Sequence, residues 1–156
     1  MKFKSPVVKN ILSALAVAFF GLILLNLTFL FDALFQVVIR RFVRIFMPLN
    51  PNAGLLPPLF HCSFVVVIGI ISWCVFRSKL QVIYKATYMT VPVAVVLATV
   101  GIFLYPWRII SYSVGGLLCI GTLCVFYRTK QPWLYYYTVI LVSLALTIFS
   151  LSGGEI

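Results

Sequence analysis

Apolar residues in this chain come in five long runs, each close to the roughly 20 residues that a helix needs to cross the hydrocarbon of a bilayer. The runs cover 10–31, 57–76, 86–105, 109–127 and 133–152, separated by stretches that carry charge, proline and aromatic residues. This pattern predicts an all-α integral membrane protein with five transmembrane helices, forming a single transmembrane domain over 1–156. Pro57 and Pro58 open the second run, where a first helical turn has no use for their missing N–H groups. Pro92 lies inside the third and predicts a kink, because its ring removes one backbone hydrogen bond. The short turn Tyr105-Pro106-Trp107-Arg108 makes the third and fourth spans a tight antiparallel hairpin. Tyr105 and Trp107 are expected in an aromatic belt at the membrane surface, with Trp73, Tyr84, Trp133 and Tyr135 to Tyr137.

The long connection after the first run has a different pattern. Over 33–46, Gln36, Arg40 and Arg44 recur at i, i+4, i+8 with Arg41 beside them, while Phe35, Val38, Ile39, Phe42, Ile45 and Phe46 fill the opposite arc. Such a helix suits the membrane plane, apolar side down and arginines among the headgroups, so one interfacial amphipathic helix is added to the five spans. The stretch 47–54, with Pro48, Pro51 and Gly54, then breaks helix and returns the chain to the second span.

Composition supports the membrane assignment: 63% of the residues are hydrophobic, 9% are charged and the mean hydropathy is +1.17. The formal charge is +10, from 12 Lys and Arg against two acids. In a soluble protein such a charge would suggest nucleic acid; here it serves orientation and contact with anionic headgroups, and no nucleic-acid partner is expected. Eight basic residues (Lys2, Lys4, Lys9, Arg77, Lys79, Lys85, Arg128, Lys130) fall on one side of the predicted bundle and four (Arg40, Arg41, Arg44, Arg108) on the other. The positive-inside rule then predicts a multi-pass cell-membrane protein with its N-terminus cytoplasmic and its C-terminus extracytoplasmic. The basic start of the chain resembles a secretion signal, but the run behind it is of spanning length and no small-x-small cleavage pattern closes it. It is therefore read as a retained first span that also directs insertion.

Candidate chemistry is sparse. Cys62, Cys74, Cys119 and Cys124 all lie in apolar runs without CxxC or Cys/His spacing and are read as free thiols. Asp32, His61 and Glu155 are the other groups able to act as acid, base or ligand, and all three belong at the outer side. Asp32, His61 and Arg108, with Arg40, Arg41 and Arg44, make one candidate site, in which arginines hold a lipid phosphate and Asp32 or His61 moves a proton. In this reading Arg108 pairs with Asp32. The structural alternative is that Asp32 ends a helix beside an arginine and His61 bonds across helices. A metal site from Asp32, His61 and Glu155 would need distant segments to converge, and no metal or cofactor is expected. His61 beside Cys62 makes no nucleophile pair, since adjacent helical positions point about 100° apart. No GxSxG, HExxH, Walker A or GxGxxG string occurs.

Small residues mark helix-packing faces: Ala14, Ala18 and Gly21; Thr90, Ala94, Ala98 and Gly101; Ser111, Gly115 and Cys119; Ser143, Thr147 and Ser150. Asn26 is expected to face another helix, because an amide facing lipid is costly. With no central charge in a span and no paired Gly or Pro breaks, an ion-coupled carrier is disfavoured. The sequence favours a non-catalytic subunit or scaffold of a membrane complex, paired with another membrane protein or a second copy of itself. A protein that binds or moves anionic lipid is the first alternative, and an intramembrane enzyme acting on a lipid-linked phosphate the second.

Overall fold

A computed structural model describes residues 6–46 and 56–152 of the chain. The connection 47–55, the basic residues Lys2 and Lys4, and Glu155 lie outside the described residues. Six helices follow in order: α1 (Pro6–Phe46), α2 (Leu56–Arg77), α3 (Val82–Tyr88), α4 (Thr90–Phe103), α5 (Arg108–Arg128) and α6 (Trp133–Leu151). With α3 and α4 taken together as Val82–Phe103, five helical segments are long and apolar enough to cross a membrane. The all-α architecture with five such spans is therefore as the apolar runs predict.

Two boundaries differ from expectation, each for a local reason. The segment 33–46 is helical, but it is no separate element: α1 runs unbroken from Pro6 to Phe46. No Gly or Pro follows Gly21 until Pro48. Asp32, which reads as a helix end in sequence, instead bonds one turn ahead to Gln36 (3.2 Å) and across to His61. The third span starts four residues early, and its break falls at Met89 rather than at Pro92. Pro92 has no N–H to offer the carbonyl of Tyr88, and the next bond, from Val93 N–H to the Met89 carbonyl, is long at 3.3 Å. Lys85 thereby enters the helix, and its ammonium donates to the Phe76 carbonyl at 2.8 Å, satisfying an end group of α2.

α4 is the central element, packed by α2, α1, α6 and α5, while α1 also meets α2, α3 and α6. Apolar cores form between α1, α3 and α6 (Val17, Ala86, Met89, Leu134, Tyr135, Val139), and between α2 and α4 (Phe64, Val91, Val95). A third joins α4 to α6 through Ala94, Val142 and Leu146. The predicted small faces of the first and third spans meet where Gly21 is buried against Thr90, and Ala94 and Ala98 are buried along the same helix. Thr138 is buried between α6 and α3, its hydroxyl oxygen 2.8 Å from the Leu134 carbonyl of its own helix and 3.1 Å from the Ala86 carbonyl. Between α5 and α6 the chain turns through Lys130 at φ 50°. The N–H groups of Lys130 and Gln131 bond back to the carbonyls of Tyr127 and Phe126, which is a Schellman closure with lysine in the place that favours glycine.

Two side-chain expectations are corrected. Tyr135 is no belt residue: it is buried in the α1–α3–α6 core, whereas Trp73, Tyr84, Tyr105, Trp107 and Trp133 are exposed. Asn26 faces no helix among the described residues. It is exposed and donates to the Leu22 carbonyl of its own helix at 2.8 Å, and the buried polar residue of this part of α1 is Thr28.

Candidate functional site

α1 and α4 run in the same direction with Gly21 against Thr90, and α2 runs opposite to both. Eleven residues beyond Gly21, nine beyond Thr90 and one turn into α2, three polar side chains therefore reach the same depth: Asp32, Thr99 and His61. His61 lies between the other two. Its Nδ1 is 2.9 Å from Asp32 Oδ2 and its Nε2 is 3.0 Å from Thr99 Oγ1. The pair is largely withdrawn from solvent, with 5% of the His61 side chain and 13% of the Asp32 side chain exposed. Phe64 borders the imidazole at 6.4 Å between ring centroids, and Phe35 packs on Phe64 at 5.6 Å. Gln36 adds a second donor to Asp32 Oδ2, while Asp32 Oδ1 is buried without a hydrogen-bond partner.

Proton positions follow from these neighbours. The Thr99 hydroxyl has one proton, and the Val95 carbonyl lies 2.6 Å from its oxygen, closer than the imidazole. Thr99 thus donates to Val95 and accepts from His61 Nε2–H. This decides the chemistry. An Asp–His–hydroxyl series activates a nucleophile only when Nε2 presents a lone pair to the hydroxyl proton. Here both ring nitrogens are engaged and the Thr99 proton is spent on backbone. The arrangement joins three helices, each interhelical polar bond being worth about 0.6–1.7 kcal/mol in a membrane.

Of the residues singled out in the sequence, Asp32 and His61 come together. Arg108 is exposed at the start of α5 and pairs with no carboxylate among the described residues, so His61 takes the place expected of it beside Asp32. Arg40 and Arg41 are exposed further along α1, and Arg44 follows one turn after Arg40. Gly115 is half-buried with Leu97 3.7 Å from where its Cβ would stand, Ser111 is half-buried, and Cys119 Sγ lies 3.0 Å from Ser143 Oγ. Among the described residues no three His, Cys, Asp or Glu side chains converge, and all four cysteines are free. Sequence reasoning missed Thr99 as a partner and assigned Gln36 to the arginine side. The available signal was depth: Thr99 is the polar residue of the third span that sits level with His61. Comparison of the chain with protein-family models, curated proteins and solved structures finds no match in any of the three.

Proposed function

We propose that this chain is a non-catalytic subunit or scaffold of a membrane complex. The observation that carries the reading is α5, a span-length helix with no buried residue, which packs against α4 and α6. Gly116 and Gly121 on this helix have nothing within 4 Å of a Cβ position. Glycine in a helix interior stabilises nothing by itself, but in lipid it lets a second backbone approach closely. The engaged nitrogens of His61 support the same reading, since they leave this buried imidazole without a free base. Asn26, outward on α1, offers an amide to a neighbouring helix. The charge distribution favours a cytoplasmic N-terminus, eight basic residues against four.

The test is purification of the whole chain in mild detergent, with mass determination of the particle and identification of integral membrane proteins held in fixed ratio. Wild type should run as a complex or a dimer, and Gly116→Leu with Gly121→Leu should release the monomer at an unchanged unfolding temperature. A wild-type chain that is monomeric and without a stoichiometric protein overturns the reading.

A further inference from the structure

α1 is too long for one crossing. Its 41 residues extend ~62 Å at 1.5 Å each, about twice the ~30 Å hydrocarbon thickness. The register of the bundle locates the excess. Asp32 is level with Thr99, so Gln36 is level with Phe103, where α4 ends and the 104–107 turn begins. Residues 37–46 therefore continue past that turn by about 15 Å.

This overhang has two unlike sides. Arg40, Arg41 and Arg44 occupy one arc of the helix, and Arg40 and Arg41 are exposed. Val38 and Ile45, 65% and 76% exposed, lie about 100° or more from Arg40 and Arg44 and about 40–60° from Arg41. No acid lies in 37–46, and the two in the whole chain are Asp32, taken by His61, and Glu155. Arg40 and Arg41, with no counter-charge among the described residues, stand near exposed aliphatic side chains and call for an environment that is anionic and apolar within a few ångströms. The headgroup band of a bilayer is such an environment, about 5–8 Å deep on each side. Arg40 and Arg41 stand about 6–8 Å beyond the level of Phe103, and helical side chains lean toward the N-terminus, here back toward the membrane.

We propose that residues 37–46 of α1 form a seat for anionic lipid headgroups at the Asp32 end of the bundle, with Arg40 and Arg41 binding phosphate, Arg44 adding a positive charge one turn on, and Val38 at the acyl boundary. Arginine is suited to this role because its planar fork binds phosphate through two hydrogen bonds. The proposal is independent of what α5 contacts.

The test reconstitutes the full chain into vesicles of phosphatidylcholine doped with spin-labelled phosphatidylglycerol or spin-labelled phosphatidylcholine, and reads the motionally restricted fraction of each. Wild type should prefer phosphatidylglycerol, and the preference should fall about fivefold for each arginine replaced by glutamine near the surface, reaching none in Arg40→Gln/Arg41→Gln/Arg44→Gln. The corresponding triple lysine variant should keep most of it. Should the triple glutamine variant fail to fold, Arg40→Gln and Arg41→Gln taken singly carry the test. A wild-type chain with no preference, or a preference that survives loss of the arginines, overturns the proposal. So does an acidic protein that binds α1 through these arginines in vesicles where lipid selectivity is absent.

Discussion

Replacing Gly21 by alanine tests the closest approach in the bundle. The added Cβ would stand 2.7 Å from Thr90 Cγ2, whereas carbon atoms rest at about 3.5–4.0 Å. Roughly 1 Å must be recovered, and Thr90 cannot easily yield: it is 1% exposed, β-branched, and held by its hydroxyl to the Thr87 carbonyl at 2.8 Å. Rotating it forfeits that bond, and moving α1 loosens the packing around Val17 and Ala86. Overpacking of this kind costs about 1–3 kcal/mol, against a gain of about 0.5–1 kcal/mol for alanine over glycine in a helix. Gly21→Ala should therefore lower stability by about 1–2 kcal/mol. Thr90→Ser removes only the clashing methyl, since the next atoms are at 3.7 and 3.8 Å. The double variant Gly21→Ala/Thr90→Ser should recover most of the loss, giving a coupling energy of about 1–2 kcal/mol in a double-mutant cycle. Equilibrium unfolding in mixed micelles measures all four states, with Gly116→Ala as the control whose Cβ meets open space. Additive effects, or a Gly21→Ala chain as stable as wild type, would refute this helix contact.

The Asp32–His61–Thr99 tie predicts an asymmetry. His61→Ala removes both interhelical bonds, leaves the buried Asp32 without its principal partner and should cost about 2–3 kcal/mol, whereas Thr99→Ala removes one neutral bond and should cost about 1 kcal/mol; equal losses in the same unfolding assay would show that the three groups are not linked as described. For orientation, cysteines introduced at Asn52 and Ser78 in a background lacking the native four should differ in intact cells, the first reacting with an impermeant maleimide and the second only after permeabilisation. The reverse pattern would place the N-terminus outside.

Burial on this surface is a poor guide to partner preference unless the helix rotation is known, and that is where sequence and structure part company. A span is a local property, a run of apolar residues of sufficient length, so five spans, the proline break of the third and the common depth of Asp32 and His61 can be read residue by residue. Rotation about the helix axis is different. In lipid the outside is as apolar as the core, so the alternation that reveals a buried face in water is absent. Tyr135 therefore looked like a belt residue and Asn26 like a packed one. The same limit hid Thr99, whose hydroxyl matters only because α2 lies opposite it. Asp32 shows the point most directly. By itself a carboxylate after an apolar run marks the end of a span, and so the sequence alone separates α1 into a span and a surface helix. Tertiary structure supplies His61 as a partner beside the local Gln36, which makes the carboxyl tolerable inside a helix, and α1 continues unbroken to Phe46. Apolar length determines how many times this chain crosses; the hydrogen-bonding groups that meet between helices decide where each helix ends and which way it faces, because desolvating an unpaired polar group costs more than any local propensity can offset.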